Sequence, residues 1–228
     1  MAITLGNYVF DETRTAIAEK YAEVGGRDAR QVRLSGAILG KRTLAELEAA
    51  LDAVLAAASA DTADTPLVLR EGRRLLVRRT GFTREVSRKP LVGAFTVQLE
   101  APSSFEEAVD ETEVNWNISA SGVTRTLTAG GNAPAPLRIT LAASGSVIAP
   151  RFSDGVRAIA YSGAVASGEA LVFDGAAGRV TLEGEDVTPY TDGVFPRVSP
   201  ASTMLTYTDD PDSTHVCAVT IAYRDRWW

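Results

Sequence analysis

Residues 92–100 read Val-Gly-Ala-Phe-Thr-Val-Gln-Leu-Glu, and the large apolar side chains stand at every second position from Phe95. A period of two residues is typical of a strand that is buried on one face, so Phe95, Val97 and Leu99 are predicted to face a core. The same alternation recurs in short runs along most of the chain, whereas only one segment has the period of a helix. The sequence therefore predicts a mainly β protein with one helix.

The helix is predicted at residues 43–58. Thr43 and Glu46 have the spacing of a capping box, in which the Thr hydroxyl accepts a hydrogen bond from the Glu46 amide and the Glu carboxylate reaches back to the Thr43 amide. The apolar residues that follow recur at helical spacing and form one stripe: Leu44, Leu47, Leu51, Val54, Leu55 and Ala58. Such a stripe requires a sheet to pack on.

A hairpin rich in arginine is predicted after the helix. Residues 67–70 and 73–78 flank Glu71-Gly72, and glycine supplies the positive φ of a tight turn. The arginines either contact acidic groups of a neighbouring subunit, or nucleic acid, or they form a solvated edge whose charges prevent aggregation. Nucleic-acid binding through this patch alone is disfavoured, because few aromatic residues lie nearby and residues 1–100 carry a net charge of only +2.

Charge and strand patterns together indicate two domains. Residues 1–100 contain 15 Lys+Arg and 13 Asp+Glu, whereas residues 101–228 contain 8 and 16, a net charge of −8. The acidic segment 103–113 is interpreted as a linker between an N-terminal domain, 1–102, and a C-terminal domain, 114–228. About eight short alternating runs, separated by turn residues, predict an antiparallel β-sandwich in the second domain.

The C-terminal residues Trp227 and Trp228 have two interpretations. They either cap the end of the sandwich or contact another subunit, because tryptophan and arginine are favoured at protein interfaces. The candidate residues for a subunit interface are accordingly Arg70, Arg73, Arg74, Arg78, Arg79, Trp227 and Trp228.

Few residues are suited to catalysis or metal binding. His215 and Cys217 are predicted to share one face of the last strand, and we interpret them as a packed pair because a nucleophilic site also needs an orienting group. One His and one Cys do not complete a zinc site. The acidic run at residues 209–212 is interpreted as a solvated turn, since it lacks the spacing of a calcium loop. We therefore predict no enzyme activity, no cofactor and no catalytic or metal-binding residue.

The chain also lacks the signals of secretion and membrane insertion. Its N-terminus has no basic region followed by an apolar one, and its apolar runs are too short for a membrane span. A single cysteine excludes a disulfide within the chain. These features predict a protein that folds in a reducing cytoplasm and has no membrane partner.

The order of elements resembles that of the distal tail protein, a Dit-like tail hub protein, of long-tailed, non-contractile phages. The resemblance spans nearly the whole chain, from Leu5–Phe10 through one capped helix and a basic hairpin to the sandwich strands. The second half is similar to the galectin-like domain of that family, with the motif at 168–174 (Gly-Glu-Ala-Leu-Val-Phe-Asp) and the run 195–200 (Phe-Pro-Arg-Val-Ser-Pro). Ala201 departs from the glycine that is often found there.

The resemblance implies a structural function at the distal end of the tail, in a virion assembled in the cytoplasm of the bacterial host. The N-terminal domain, a β-barrel or sheet, is expected to form a hexameric ring that joins the tail tube protein to the tip or baseplate hub protein. Genomic DNA is expected only as cargo passing through the lumen of the ring. The alternative is a carbohydrate-binding adhesin involved in host recognition, which would need a Trp platform with His, Asn and Arg on one sheet face. Trp116 is the only Trp in the middle of the second domain, and His215 lies on the predicted last strand. A tail-tip hydrolase is a third hypothesis.

Overall fold

A computed structural model describes residues 2–24, 27–62 and 64–228 of the chain, and the Gly25-Gly26 turn predicted from the sequence lies outside them. The fold divides into two units, residues 1–109 with Trp228 and residues 110–227. In the described residues one α-helix and two single-turn 3₁₀ helices accompany the strands, so the mainly β prediction is confirmed. None of the described helices is long and apolar enough to cross a membrane.

The first unit is built on antiparallel strands in the order β2-β1-β5-β6-β7-β4-β3, with β8 paired to β6. The strands are β1 Ile3–Leu5, β2 Tyr8–Phe10, β3 Thr15–Val24, β4 Arg27–Ile38, β5 Thr65–Arg70, β6 Arg73–Arg88, β7 Leu91–Ala101 and β8 Glu106–Ala108. A 3₁₀ turn, Glu12–Arg14, precedes β3.

Helix α1, Leu44–Ala56, begins and ends close to the predicted bounds and packs on this sheet. Thr43 caps it by accepting from the Glu46 amide at 3.2 Å, but the Glu46 carboxylate accepts from the amide of Arg42, one residue before the predicted partner. The contact with β7 is close, because a Cβ added to Gly93 would meet Cδ1 of Leu47 at 2.9 Å and of Leu51 at 3.0 Å. The apolar stripe predicted for the helix therefore packs on a sheet, as expected.

Two strands of the first unit were not clearly defined by the sequence pattern. The segment 16–24, ambiguous between helix and strand, belongs to β3. The pattern of residues 82–88 indicates a separate polar strand, but this segment and the second hairpin strand form one continuous strand, β6, which is 16 residues long and shifts register against β7 between Arg79 and Gly81. This irregularity changes which residues face the core, and so the alternation appears interrupted in the sequence.

The second unit is an antiparallel sandwich of a six-stranded and a five-stranded sheet, supplemented by two-stranded pairs. Its larger sheet follows the order β19-β18-β17-β12-β23-β9, and its smaller sheet the order β10-β22-β14-β15-β20. The strands are β9 Thr112–Ile118, β10 Thr124–Leu127, β11 Ala135–Pro136, β12 Arg138–Ala143, β13 Val147–Ile148, β14 Arg151–Ser153, β15 Ala158–Tyr161, β16 Ala164–Val165, β17 Ala170–Asp174, β18 Arg179–Leu182, β19 Glu185–Asp186, β20 Thr191–Gly193, β21 Arg197–Val198, β22 Thr203–Thr208, β23 Cys217–Tyr223 and β24 Arg226–Trp227.

Inward-facing side chains of both sheets form the core of the second unit. Phe152 lies at its centre, with ring centroids 5.5 Å from Phe173 and 5.4 Å from Tyr207. Offset and edge-on aromatic contacts of this kind add to the energy of burial. The antiparallel sandwich predicted from the spacing of the short strands is therefore present.

The acidic segment 103–113 is more ordered than a linker. It contains β8, which pairs with β6, and the start of β9. Because Glu106 and Glu107 belong to the first unit, residues 1–109 carry 15 Lys+Arg and 15 Asp+Glu, and residues 110–228 carry 8 and 14. The first unit is neutral, and the net charge of −6 resides in the second.

Candidate functional site

The arginine hairpin of β5 and β6 contacts carboxylates of its own unit. Arg70 forms ion pairs with Glu106 and with Glu19, the latter at 3.6 Å, although about half of its side chain is exposed. Arg73 Nη1 lies 3.8 Å from Glu106. These two arginines therefore pair with acidic groups of their own chain, whereas the predicted contact was with a neighbouring subunit.

The other three arginines of the hairpin are also engaged within the first unit. Arg74 lies 3.8 Å from Glu107, and Arg78 pairs with Glu100 at 2.7 Å. Arg79 donates to the carbonyl oxygen of Leu55 near the end of the helix. The hairpin is thus neither a free basic surface nor an unpaired solvated edge.

A buried ionic network lies next to this hairpin. Arg30 of β4 is 1% exposed and donates through Nη2 to Glu106 at 2.9 Å and to Glu19. Burial alone would lower the pKa of Arg30, but its ion pairs with Glu19 and Glu106 raise the pKa above the usual arginine value. The ring of Tyr21 covers the guanidinium, with its centroid 5.4 Å from Cζ.

The sequence analysis missed this network because its members are far apart in the chain. One signal was present: Arg30 shares the strand period of the buried residues Val32 and Leu34, which places it on the core face of β4. A charge on that face requires a partner, but the pattern does not indicate which of the 29 acidic residues supplies it.

The two C-terminal tryptophans occupy different environments. Trp227 packs within the second unit, where a Cβ added to Gly131 would meet its ring at 3.0 Å. Trp228 groups with the first unit, its ring centroid lying 4.1 Å from that of Phe105, and it is 61% exposed. Trp227 therefore packs within the second unit, whereas Trp228 contacts Phe105 and leaves more than half of its surface exposed.

His215 and Cys217 do not share a strand face, contrary to the prediction. Strand β23 begins at Cys217, and His215 precedes it with φ of +59°, a conformation that turns the backbone away from an extended path. His215 Nδ1 lies 2.8 Å from Oδ1 of Asp209, whose other oxygen accepts from the Tyr207 hydroxyl at 2.7 Å. Burial raises the pKa of the Cys217 thiol to about 11, so the group is protonated and not a nucleophile at neutral pH.

Two further sequence interpretations concern the second unit. Residues 209–212 form the turn between β22 and β23, and no group of metal-ligating side chains occurs among the described residues. Trp116, the platform of the carbohydrate-binding hypothesis, is 8% exposed and belongs to the core. With His215 engaged by Asp209, the two residues do not form an open sugar-binding face.

Comparison with known proteins finds a similarity to a protein family in the second unit. Residues 130–227 match the family model described as the C-terminal domain of a siphovirus-type tail component. This region is similar to a tail component domain. It accounts for most of the second unit, and the resemblance to distal tail proteins inferred from the sequence is confirmed.

The whole chain also has the fold of a solved tail protein. The crystal structure of SPP1 Dit (gp 19.1), described as a paradigm of the hub adsorption apparatus in phages that infect Gram-positive bacteria, superposes with a TM-score of 0.70 at 14% identity. The match covers 100% of this chain and 99% of the SPP1 chain. No curated protein matches the sequence. Together the findings support a role for this chain as a structural component of a siphophage tail.

Proposed function

We propose that this protein is the distal tail subunit of its virion, and that six copies form a ring between the tail tube protein and the tip or baseplate hub protein. The observation that carries the proposal is the full-length fold likeness to a phage hub protein, combined with the tail component domain at residues 130–227. The first unit forms the ring in this proposal, and the galectin-like sandwich lies outside it. Assembly takes place in the host cytoplasm.

The open edge of the first unit supports self-association. Strand β3 lies at the end of the sheet order, and no strand among the described residues pairs with its outer side. Ile17 and Tyr21 of this strand are 39% and 57% exposed. Long edges with apolar side chains are usually covered by another chain, because they otherwise promote aggregation.

Most of the candidate interface residues can still contact a neighbouring subunit, although the arginines already have partners within the chain. Arg70, Arg73, Arg74 and Arg78 are partly exposed while paired within the chain, so their ion pairs can extend to carboxylates of a neighbouring subunit. Arg79 is engaged by the helix terminus, and Trp228 supplies an exposed ring of the kind that anchors interfaces.

Electron microscopy and native mass spectrometry of the purified protein test this function. A ring with a central lumen and a mass of about six chains is expected for a closed heterologous assembly. The variant R73E/R78E should weaken the ring, with R125E/R151E as a control of equal charge in the second unit. A wild-type protein that remains monomeric at high concentration would contradict the proposal.

A further inference from the structure

A polar depression of about 330 Å³ lies on the solvent-facing side of β3, β4 and β7 in the first unit. Val32 of β4 and Leu99 of β7 are buried on the core side, so the alternate residues of both strands face outward. The side chains that line the depression from this outer side are Ala18, Lys20, Gln31, Arg33, Thr80 and Gln98. Two of them are cationic and two are amides.

The strand register places these side chains in two adjacent rows. One row consists of Ala18, Arg33, Gln98 and Gly81, and the other of Lys20, Gln31, Glu100 and Arg78. Cβ atoms of directly opposed residues lie about 5 Å apart, so the polar ends of Arg33, Gln31 and Gln98 can reach one ligand. The small side chain of Ala18 leaves room at one end of the first row, and at the other end the Gln98 amide lies over Gly81, where an added Cβ would meet its Oε1 at 2.9 Å.

The two cations of the depression have no carboxylate partner. Lys20 and Arg33 form no ion pair within the described part of the chain, and Arg33 donates only through Nε, to Ser35 at 3.2 Å. Glu100 is engaged by Arg78 Nη2, and Glu19 points to the core side, where it binds Arg30. Two positive charges and two amide groups therefore lie together, and the two carboxylates beside them, Glu19 and Glu100, are each paired with an arginine.

We propose that this depression binds a phosphate group. The free terminal nitrogens of Arg33 match the oxygens of phosphate, Lys20 supplies a second positive charge, and the Gln31 and Gln98 amides donate further hydrogen bonds. Inorganic phosphate and the phosphodiester backbone of DNA present the same chemistry. The test must therefore distinguish these two sources.

The experiment uses the full-length protein with two probes. Fluorescence anisotropy measures binding of a labelled duplex DNA at several salt concentrations, and isothermal titration calorimetry measures binding of sodium phosphate. The variant K20A/R33A should weaken binding roughly tenfold and reduce the salt slope for DNA by about 2, because two phosphate contacts are lost. K20R/R33K should retain most of the binding, since both charges remain.

A matched control removes one lysine and one arginine elsewhere in the same unit. Lys41 and Arg42 are exposed and form no ion pair with the described residues, so K41A/R42A should bind like the wild type. Circular dichroism melting verifies that all variants are folded, and Q31A/Q98A tests the site without changing charge. Phosphate binding without DNA binding supports the site with free phosphate as its ligand.

Two results overturn the assignment. The first is a wild-type protein that binds neither DNA nor phosphate. The second is equal weakening by K20A/R33A and K41A/R42A, which indicates diffuse attraction and not a site. Neither result bears on the tail function, because ring formation is measured separately.

Discussion

Arg30 and Glu106 are 76 residues apart in the sequence and form a buried ion pair, with Nη2 of Arg30 2.9 Å from Oε1 of Glu106. The pair joins the core face of β4 to β8, the strand that ends the first unit. Glu106 is 4% exposed and lies within ion-pair distance of Arg70 and Arg73 as well. One carboxylate therefore contacts three arginines and, together with Glu19, offsets part of their mutual repulsion.

Replacing Glu106 should strongly destabilise the first unit. In Glu106→Gln, Arg30 loses half of its countercharge while remaining buried, and breaking such a pair typically costs about 3–5 kcal/mol. Urea denaturation gives the free energy of unfolding. The exposed Glu71→Gln is the control and should change the stability by less than about 0.5 kcal/mol. Equal stabilities of the two variants would show that the buried pair contributes little.

The same pair predicts where the first unit can be cut. A fragment of residues 1–109 retains Glu106 and should give a well-dispersed NMR spectrum. A fragment of residues 1–102 lacks β8 and leaves Arg30 without Glu106, and we expect it to aggregate or unfold. Comparable spectra from the two fragments would argue against β8 as part of the unit.

The close contact of α1 with β7 predicts a steric effect at Gly93. Gly93→Ala places a Cβ within about 3 Å of Leu47 and Leu51, both fully buried, so their side chains must shift in a packed core. Overpacking of this kind costs about 1–3 kcal/mol. The neighbouring Ala94→Ser faces solvent and serves as the control. Thermal melting that shows no difference between them would contradict the close contact.

The Cys217 thiol predicts a loss of stability at high pH. Its pKa is raised from 9.0 to about 11 by burial, so between pH 9 and 11 the unfolded chain loses a proton that the folded chain retains. The unfolded state then binds fewer protons, and the stability falls as pH rises through this window. Urea denaturation at pH 8 and pH 10.5 measures the loss, and Cys217→Ser or Cys217→Ala should reduce the pH dependence. If the variants lose as much stability between pH 8 and pH 10.5 as the wild type, groups other than Cys217 cause the pH dependence.

Sequence periodicity predicted the second unit well because its strands are short and buried on one face. Two of the alternating runs in the sequence, residues 170–174 and 179–182, have the same bounds as β17 and β18. Two-residue strands such as β11, Ala135–Pro136, were not predicted, because a period cannot be recognised over two positions. The helix α1 could be predicted from its capping box and its apolar stripe, because the apolar pattern continues over several turns and can be recognised.

The subunit interface stays a prediction, but the sequence did not reveal that its arginines have partners within the chain, because charges were treated as local properties. The arginines of the hairpin appeared free when counted with their neighbours in the sequence, yet Glu100, Glu106 and Glu107 neutralise most of them in the fold. The same counting assigned Glu106 to a linker. Long-range ion pairs leave little trace in a single sequence, as neither partner shows a periodic pattern that requires the other.

The burial of Cys217 has a practical use for mapping the assembly. The wild-type chain contains no other thiol, so a cysteine introduced at a solvent-facing position such as Thr126 would be the sole site for fluorophore or spin-label attachment under native conditions. Distances between labels on different copies could then be measured without first removing the native residue. Because the sandwich core buries the native thiol, thiol-reactive probes would label only the introduced cysteine.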